Sequence, residues 1–161
     1  MSSINASLQR VLSFNSRPSV IITIGNSLRS DDGLGPYIAE RILPLKDILV
    51  IDAAQNPERI IDQVVAFRPK SIVIIDAADF AGEPGEIRII RQDDVPQTSL
   101  STHSIPLSVI GGILIADTKA SLEFIAVQVK NVVLGQGLSA EVKDSADKII
   151  AIINKQGGHY A

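Results

Sequence analysis

The feature that most constrains this chain is the alternation of unbroken apolar runs with segments whose apolar residues recur at helical spacing. Val20-Ile21-Ile22-Thr23-Ile24 shows no polar alternation, which predicts a parallel strand covered on both faces. Gly25 ends it. Gly35-Pro36 has the form of an N-cap and first helical position, and Leu34, Ile38 and Ile42 then follow a helical period until Pro44. Ile48 to Ile51 reads as a second strand. Asn56-Pro57 repeats the cap signature, Ile60, Ile61, Val64 and Val65 form one face, and Pro69 closes that helix before a third strand, Ile72 to Ile75. Glu83-Pro84-Gly85 turns the chain into Glu86 to Ile90, whose shorter alternation is that of an edge strand antiparallel to the rest. A helix from near Ser104 carries Leu107, Ile110, Leu114 and Ile115, and Phe124 to Val129 is one more buried strand. Ser139 caps a last helix with Val142, Ala146, Ile149, Ile150 and Ile153 inward. Right-handed crossovers make this pattern an α/β three-layer sandwich: a mostly parallel twisted sheet of about five strands, one antiparallel edge strand, and helices on both faces.

With 161 residues, the chain suits one α/β domain over residues 18–161, preceded by an amino-terminal leader, residues 1–17. Leu8, Val11, Leu12 and Phe14 are too sparse there for a signal-peptide core and predict a short amphipathic helix or a frayed end. The longest apolar stretch, Ile105 to Ala116, is interrupted by Pro106, Ser108 and two glycines and falls short of the roughly 20 residues that cross a bilayer. No membrane insertion is therefore expected, and a cytoplasmic monomer is the expectation. Fifteen Lys and Arg against 18 Asp and Glu leave a formal charge of -3, so no basic field is offered to nucleic acid. The absence of Cys excludes thiolate nucleophiles, disulfides and Cys-rich metal sites. A nucleotide-binding module fits the fold class, but neither G-x-x-x-x-G-K-[ST] nor G-x-G-x-x-G follows the first strand.

Ligands of such folds collect at the carboxyl ends of the strands. Gly25-Asn26 and Asp31-Asp32 leave the first strand there, and Asp76 follows the last isoleucine of the third. His103, in the loop before the next helix, can return to the same rim. Two carboxylates and one imidazole then converge, a nitrogen and oxygen donor set suited to Ni, Zn, Mn or Fe, and adjacent carboxylates raise one another's proton affinity as acid-base work requires. Acids before a helix also serve as caps, so one member of Asp31-Asp32 is structural, and Asp32 is the one assigned to the site. His159, after Gly157-Gly158, is read as an ordinary surface or hydrogen-bonded residue.

The segment Gly25-Asn26-Ser27-Leu28-Arg29-Ser30-Asp31-Asp32-Gly33-Leu34-Gly35-Pro36 resembles the signature that opens the nickel-iron hydrogenase maturation endopeptidases. Ile74-Ile75-Asp76-Ala77, Pro84-Gly85-Glu86-Ile87-Arg88 and Ser101-Thr102-His103 are similar to that family in order and spacing, nearest to the branch serving formate hydrogenlyase, the hydrogenase 3 type. The resemblance spans about Val20 to Ile153. It implies an endopeptidase that removes a carboxyl-terminal extension from the large-subunit precursor after nickel insertion. It also implies Asp32, Asp76 and His103 as metal ligands, with Asp32 and Asp76 catalytic and Gly25, Asn26 and Asp31 beside them touching substrate. Nickel is expected to arrive with the substrate, and Zn or Cd could occupy the same site in a crystal. Some relatives carry Glu where this chain has Asp32, so the metal is expected to sit slightly closer to the backbone here. A nickel-dependent checkpoint without proteolysis and a generic metal-dependent hydrolase are the alternatives.

Overall fold

The computed structural model describes residues 3–95, 105–135 and 137–157. Its elements follow in the order α1 (Ser3–Val11), β1 (Ser19–Ile24), α2 (Leu34–Ala39), β2 (Ile48–Ala54), α3 (Ile61–Phe67), β3 (Ser71–Ala78), β4 (Ile87–Arg91), α4 (Leu107–Thr118), β5 (Ser121–Gln128) and α5 (Ala140–Lys155). The five strands form one sheet in the order β2-β1-β3-β5-β4. All neighbours are parallel except β4, which runs antiparallel to β5 at the edge, as its alternating pattern predicts.

Two apolar layers sandwich the sheet because successive strand residues face opposite sides. Ile21 of β1, Val73, Ile75 and Ala77 of β3, and Ile125 and Val127 of β5 pack with buried residues of α1, α2 and α5. On the other side, Val20, Ile22 and Ile24 of β1, Ile72 and Ile74 of β3, and Leu122 and Phe124 of β5 pack with α3 and α4. Every residue of β1 is buried, which explains its unbroken apolar run. The amino-terminal helix belongs to the first layer: Leu8, Val11, Leu12 and Phe14 are all buried. Arg10 fastens it to the sheet by donating to both carboxylate oxygens of Glu123, at 3.1 and 3.2 Å.

Several local expectations change. The chain after β1 first makes a 3-10 turn, Ser30–Gly33, and α2 starts at Leu34 and stops at Ala39. Gly35 is therefore no N-cap. It is buried in the first turn of α2, where a Cβ would stand 2.2 Å from the carbonyl oxygen of Ile24, so glycine lets the helix lie directly on the end of β1. Strand β3 runs on to Ala78, which puts Asp76 inside it. The fourth helix begins at Leu107, three residues later than its apolar period suggests. In α5, Ile152 joins the buried face, whereas Ile150 is half-buried at its border.

Candidate active site

The strand order fixes where a site can form. From β1 the chain passes through α2 to β2 on one side, then through α3 to β3 on the other side of β1. The chain leaving β1 packs as α2 on one face, and the chain leaving β3 crosses to β5 through α4 on the other, so a crevice opens at the carboxyl ends of β1 and β3, the switch point where open α/β sheets take ligands. The 3-10 turn carrying Asp32 packs against β3. Asp76 lies in the last third of that strand, 6% exposed. It has the parity of Ile72 and Ile74, so its side chain emerges on the α3 and α4 side, the side from which the segment leading into α4 arrives. The fold thus gathers the two predicted carboxylates at adjacent strand ends. His103 and His159 lie outside the described residues.

The turn that presents Asp32 is built almost wholly from backbone and short polar groups. Gly25 has φ of 151°, a region that disfavours side chains, and a Cβ on it would fall 2.1 Å from the carbonyl oxygen of Asp32. That close approach lets the Asn26 amide donate to both the main-chain oxygen of Asp32 at 3.0 Å and its carboxylate at 3.1 Å. Asn26 in turn accepts from the Leu28 amide at 2.9 Å through its side-chain oxygen, and its carbonyl accepts from Arg29 at 3.1 Å. Gly25 and Asn26, expected to touch substrate, thus also have a visible structural role, folding the turn and aiming the Asp32 carboxylate.

Asp31, expected to touch substrate, is engaged within the chain. It is fully buried, 0% exposed. One carboxylate oxygen accepts from the backbone amides of Lys130 at 2.8 Å and Asn131 at 3.0 Å, the other from the amide of Ser139 at 2.7 Å, and the Ser139 hydroxyl reaches both at 2.9 Å. A charge without access to water is tolerable only with such saturation. One of the two acids is structural, as the sequence implies, but by bracing the segment after β5 and not by capping a helix. The Ser139 side chain makes no cap bond to α5, because its hydroxyl is turned to Asp31.

Gln128, buried at the end of β5, is a second support that the sequence did not single out. Its side-chain oxygen accepts from the amides of Phe80 at 2.8 Å and Gly82 at 3.0 Å, and its nitrogen donates to Asp79 at 3.0 Å. These bonds hold the loop that leaves β3 just past Asp76. The Gln128 amide and the Ala81 backbone amide, in that order, keep the Asp79 carboxyl below its usual range. Beside the 3-10 turn runs a groove of about 540 Å³ lined by Ser27, Ser30, Gly33, Tyr37, Arg41 and Lys143, among others.

A profile described as hydrogenase maturation protease, HycI, matches residues 34–156. The hydrogenase 3 maturation protease of Escherichia coli is 33% identical over 133 residues, covering 81% of this chain and 85% of that protein. The chain belongs to the hydrogenase maturation protease family. Solved relatives agree. The crystal structure of the nickel-iron hydrogenase maturation protease HycI from Thermococcus kodakarensis superposes with a TM-score of 0.83 at 28% identity, covering 94% of this chain and 99% of the other. The solution structure of the endopeptidase HycI from Escherichia coli gives a TM-score of 0.76 at 31% identity, over 85% and 89% of the two chains. This maturation protease is accordingly a peptide-bond hydrolase. Among the described residues no helix is long and apolar enough to cross a membrane.

Among the described residues no three His, Cys, Asp or Glu side chains group around a point. Asp32 and Asp76 are carboxylates on separate elements, the 3-10 turn after β1 and strand β3.

Proposed function

We propose that this endopeptidase removes the carboxyl-terminal extension of a nickel-iron hydrogenase large-subunit precursor once nickel has been inserted. What supports the reading is that the turn carrying Asp32 packs against β3, the strand that carries Asp76, beside the point where the strand order diverges. The nickel is part of the substrate. Asp32, Asp76 and His103 grip it as the precursor presents it, and that grip sets the scissile bond in register, replacing a search through many orientations by one.

Hydrolysis needs a proton acceptor for water and a proton donor for the leaving amine. In this proposal a carboxylate of the pair does both: it takes the proton as the water oxygen bonds the carbonyl carbon and returns it to nitrogen as the C–N bond breaks. No Cys is present to form an acyl intermediate, and the sequence offers no Ser, His and Asp in an order that suggests one. The test is incubation of purified nickel-loaded precursor with wild type and with Asp76→Asn, reading the mass of the large subunit. Wild type removes the extension, and Asp76→Asn, equal in size but uncharged, leaves it attached. Cleavage by both refutes the assignment of Asp76. Nickel-dependent binding by wild type without any mass change refutes the proteolytic reading in favour of a checkpoint.

A further inference from the structure

We infer that Leu28, Val132, Val133 and Leu134 form a docking surface for the folded body of the protein substrate, beside the carboxylates that act on its tail. The inference rests on the function proposed above and names the surface that function uses. Leu134 is 84% exposed, Val133 63%, Leu28 54% and Val132 40%. Contiguous exposed apolar groups on a water-facing surface mark contact sites more often than chance.

This exposure is not the looseness of an unpacked loop. Two segments about a hundred residues apart in sequence are joined atom to atom. The Gly135 amide donates to the Leu28 carbonyl at 2.9 Å, the Ser30 amide to the Gly135 carbonyl at 2.7 Å, and the Ser30 hydroxyl to the Val133 carbonyl at 2.9 Å. The Arg29 guanidinium reaches the Val132 carbonyl at 3.3 Å, and Asn131 accepts from the Val133 amide at 2.9 Å. Beneath them the buried Asp31 carboxylate fastens Lys130 and Asn131. The backbone is held while the apolar side chains stand in water, the arrangement of a preorganised contact that loses little freedom when covered.

Position selects the occupant. Leu28 and Asp32 belong to one turn, four residues apart, so whatever covers the patch lies against the catalytic crevice. That neighbour is the polypeptide being cut. Its occupant carries an apolar face close to the cleavage segment, and Arg29 and Lys130 at the border of the patch supply the polar rim that such contacts have. Leu43, also exposed, sits in the connection leading to the amino end of β2, away from this rim, and serves as the control.

Steady-state cleavage of the nickel-loaded precursor should be compared for wild type, Val133→Ser/Leu134→Ser, Leu28→Ser and Leu43→Ser, with the urea midpoint confirming that each folds. Losing two central apolar contacts raises KM about tenfold or more with kcat retained, the mark of binding shared by ground and transition states. Leu28→Ser gives a smaller rise, and Leu43→Ser none. Equal KM values across the set overturn the inference while leaving the protease reading intact. A wild-type dimer by sedimentation that the serine variants dissolve, without change in KM, assigns the patch to a second copy of this chain and overturns it too. A wild type that neither binds nor cleaves the precursor overturns the functional reading, and the docking surface with it.

Discussion

Replacing Asp31 by Asn should destabilise the protein far more than its place beside Asp32 suggests. The amides of Lys130 and Asn131 converge on one oxygen of Asp31, the amide of Ser139 on the other, the Ser139 hydroxyl reaches both, and the side chain is fully buried. The amide of Asn offers one oxygen and one N–H pair. If the nitrogen takes the side of Lys130 and Asn131, two backbone donors lose their acceptor. If it takes the side of Ser139, that hydroxyl can rotate to accept, and one backbone N–H is left unpaired. The second choice is cheaper: an unsatisfied buried donor costs about 1–3 kcal/mol, and loss of the charge from the remaining bonds adds about 1 kcal/mol. The expected destabilisation is about 2–4 kcal/mol, below the whole stability of an ordinary domain, so Asp31→Asn still folds. Urea unfolding should show a lower midpoint with an unchanged slope. Native-state hydrogen exchange should show lost protection at the amides of Lys130, Asn131 and Ser139, with little change at β1. A change below about 0.5 kcal/mol, the range of an ordinary surface substitution, with those three amides still protected would refute the brace.

Other substitutions and conditions probe separate parts of the molecule. Gly35→Ala places a methyl 2.2 Å from the Ile24 carbonyl oxygen and must push α2 off the end of β1, costing about 1–3 kcal/mol or more, measured as a drop in the urea midpoint. Gly25→Ala meets the Asp32 carbonyl oxygen at 2.1 Å, so it should distort the turn that carries Asp32 and, on the proposed function, abolish precursor cleavage in whatever fraction remains folded, read by the mass assay. Acid should weaken the fold. The carboxyl of Asp147 is held below its usual range by Lys143 first and Tyr37 second, that of Glu86 by the Glu83 amide and Arg88, and that of Glu141 by backbone and Lys130. A carboxyl depressed in the folded state stabilises above its unfolded value and loses that contribution as pH falls through the folded value, so urea midpoints should decline from about pH 5 downward. Asp147→Asn should make that decline shallower. A midpoint that rises on acidification would contradict the sign.

How much was legible depended on how local the cause is. The burial of β1 and β3 and the antiparallel edge at β4 are written in neighbouring residues, because a strand covered on both faces has no polar alternation and an edge strand does. The approach of α2 to β1 is not local. Gly35-Pro36 has the form of a cap, but what glycine serves there is contact with the Ile24 carbonyl across the layer. The pair Asp31-Asp32 shows the limit most plainly. Two adjacent acids look alike in sequence, and which one is buried is decided by Ser139, 108 residues away. Asp76 could be singled out because a carboxylate closing an isoleucine run has to be explained by a partner or by chemistry. Gln128 ends a similar run but is uncharged, so nothing marked it as the anchor of the loop after β3. Val132-Val133-Leu134 shows no period of either kind, and its exposure comes from the bonds to Leu28 and Ser30 that only the fold assembles.

The proposed function stands or falls on whether cleavage waits for nickel in the substrate. The decisive quantity is the single-turnover rate at which excess protease shortens the same large-subunit precursor, prepared with and without nickel and read by mass. If the ion is what Asp32, Asp76 and His103 grip, its absence removes orientation worth several kcal/mol in the transition state, about 4 kcal/mol being a thousandfold in rate. Complete conversion of the nickel-loaded form is expected while the nickel-free form stays full length. Equal rates for the two forms would contradict the dependence on nickel.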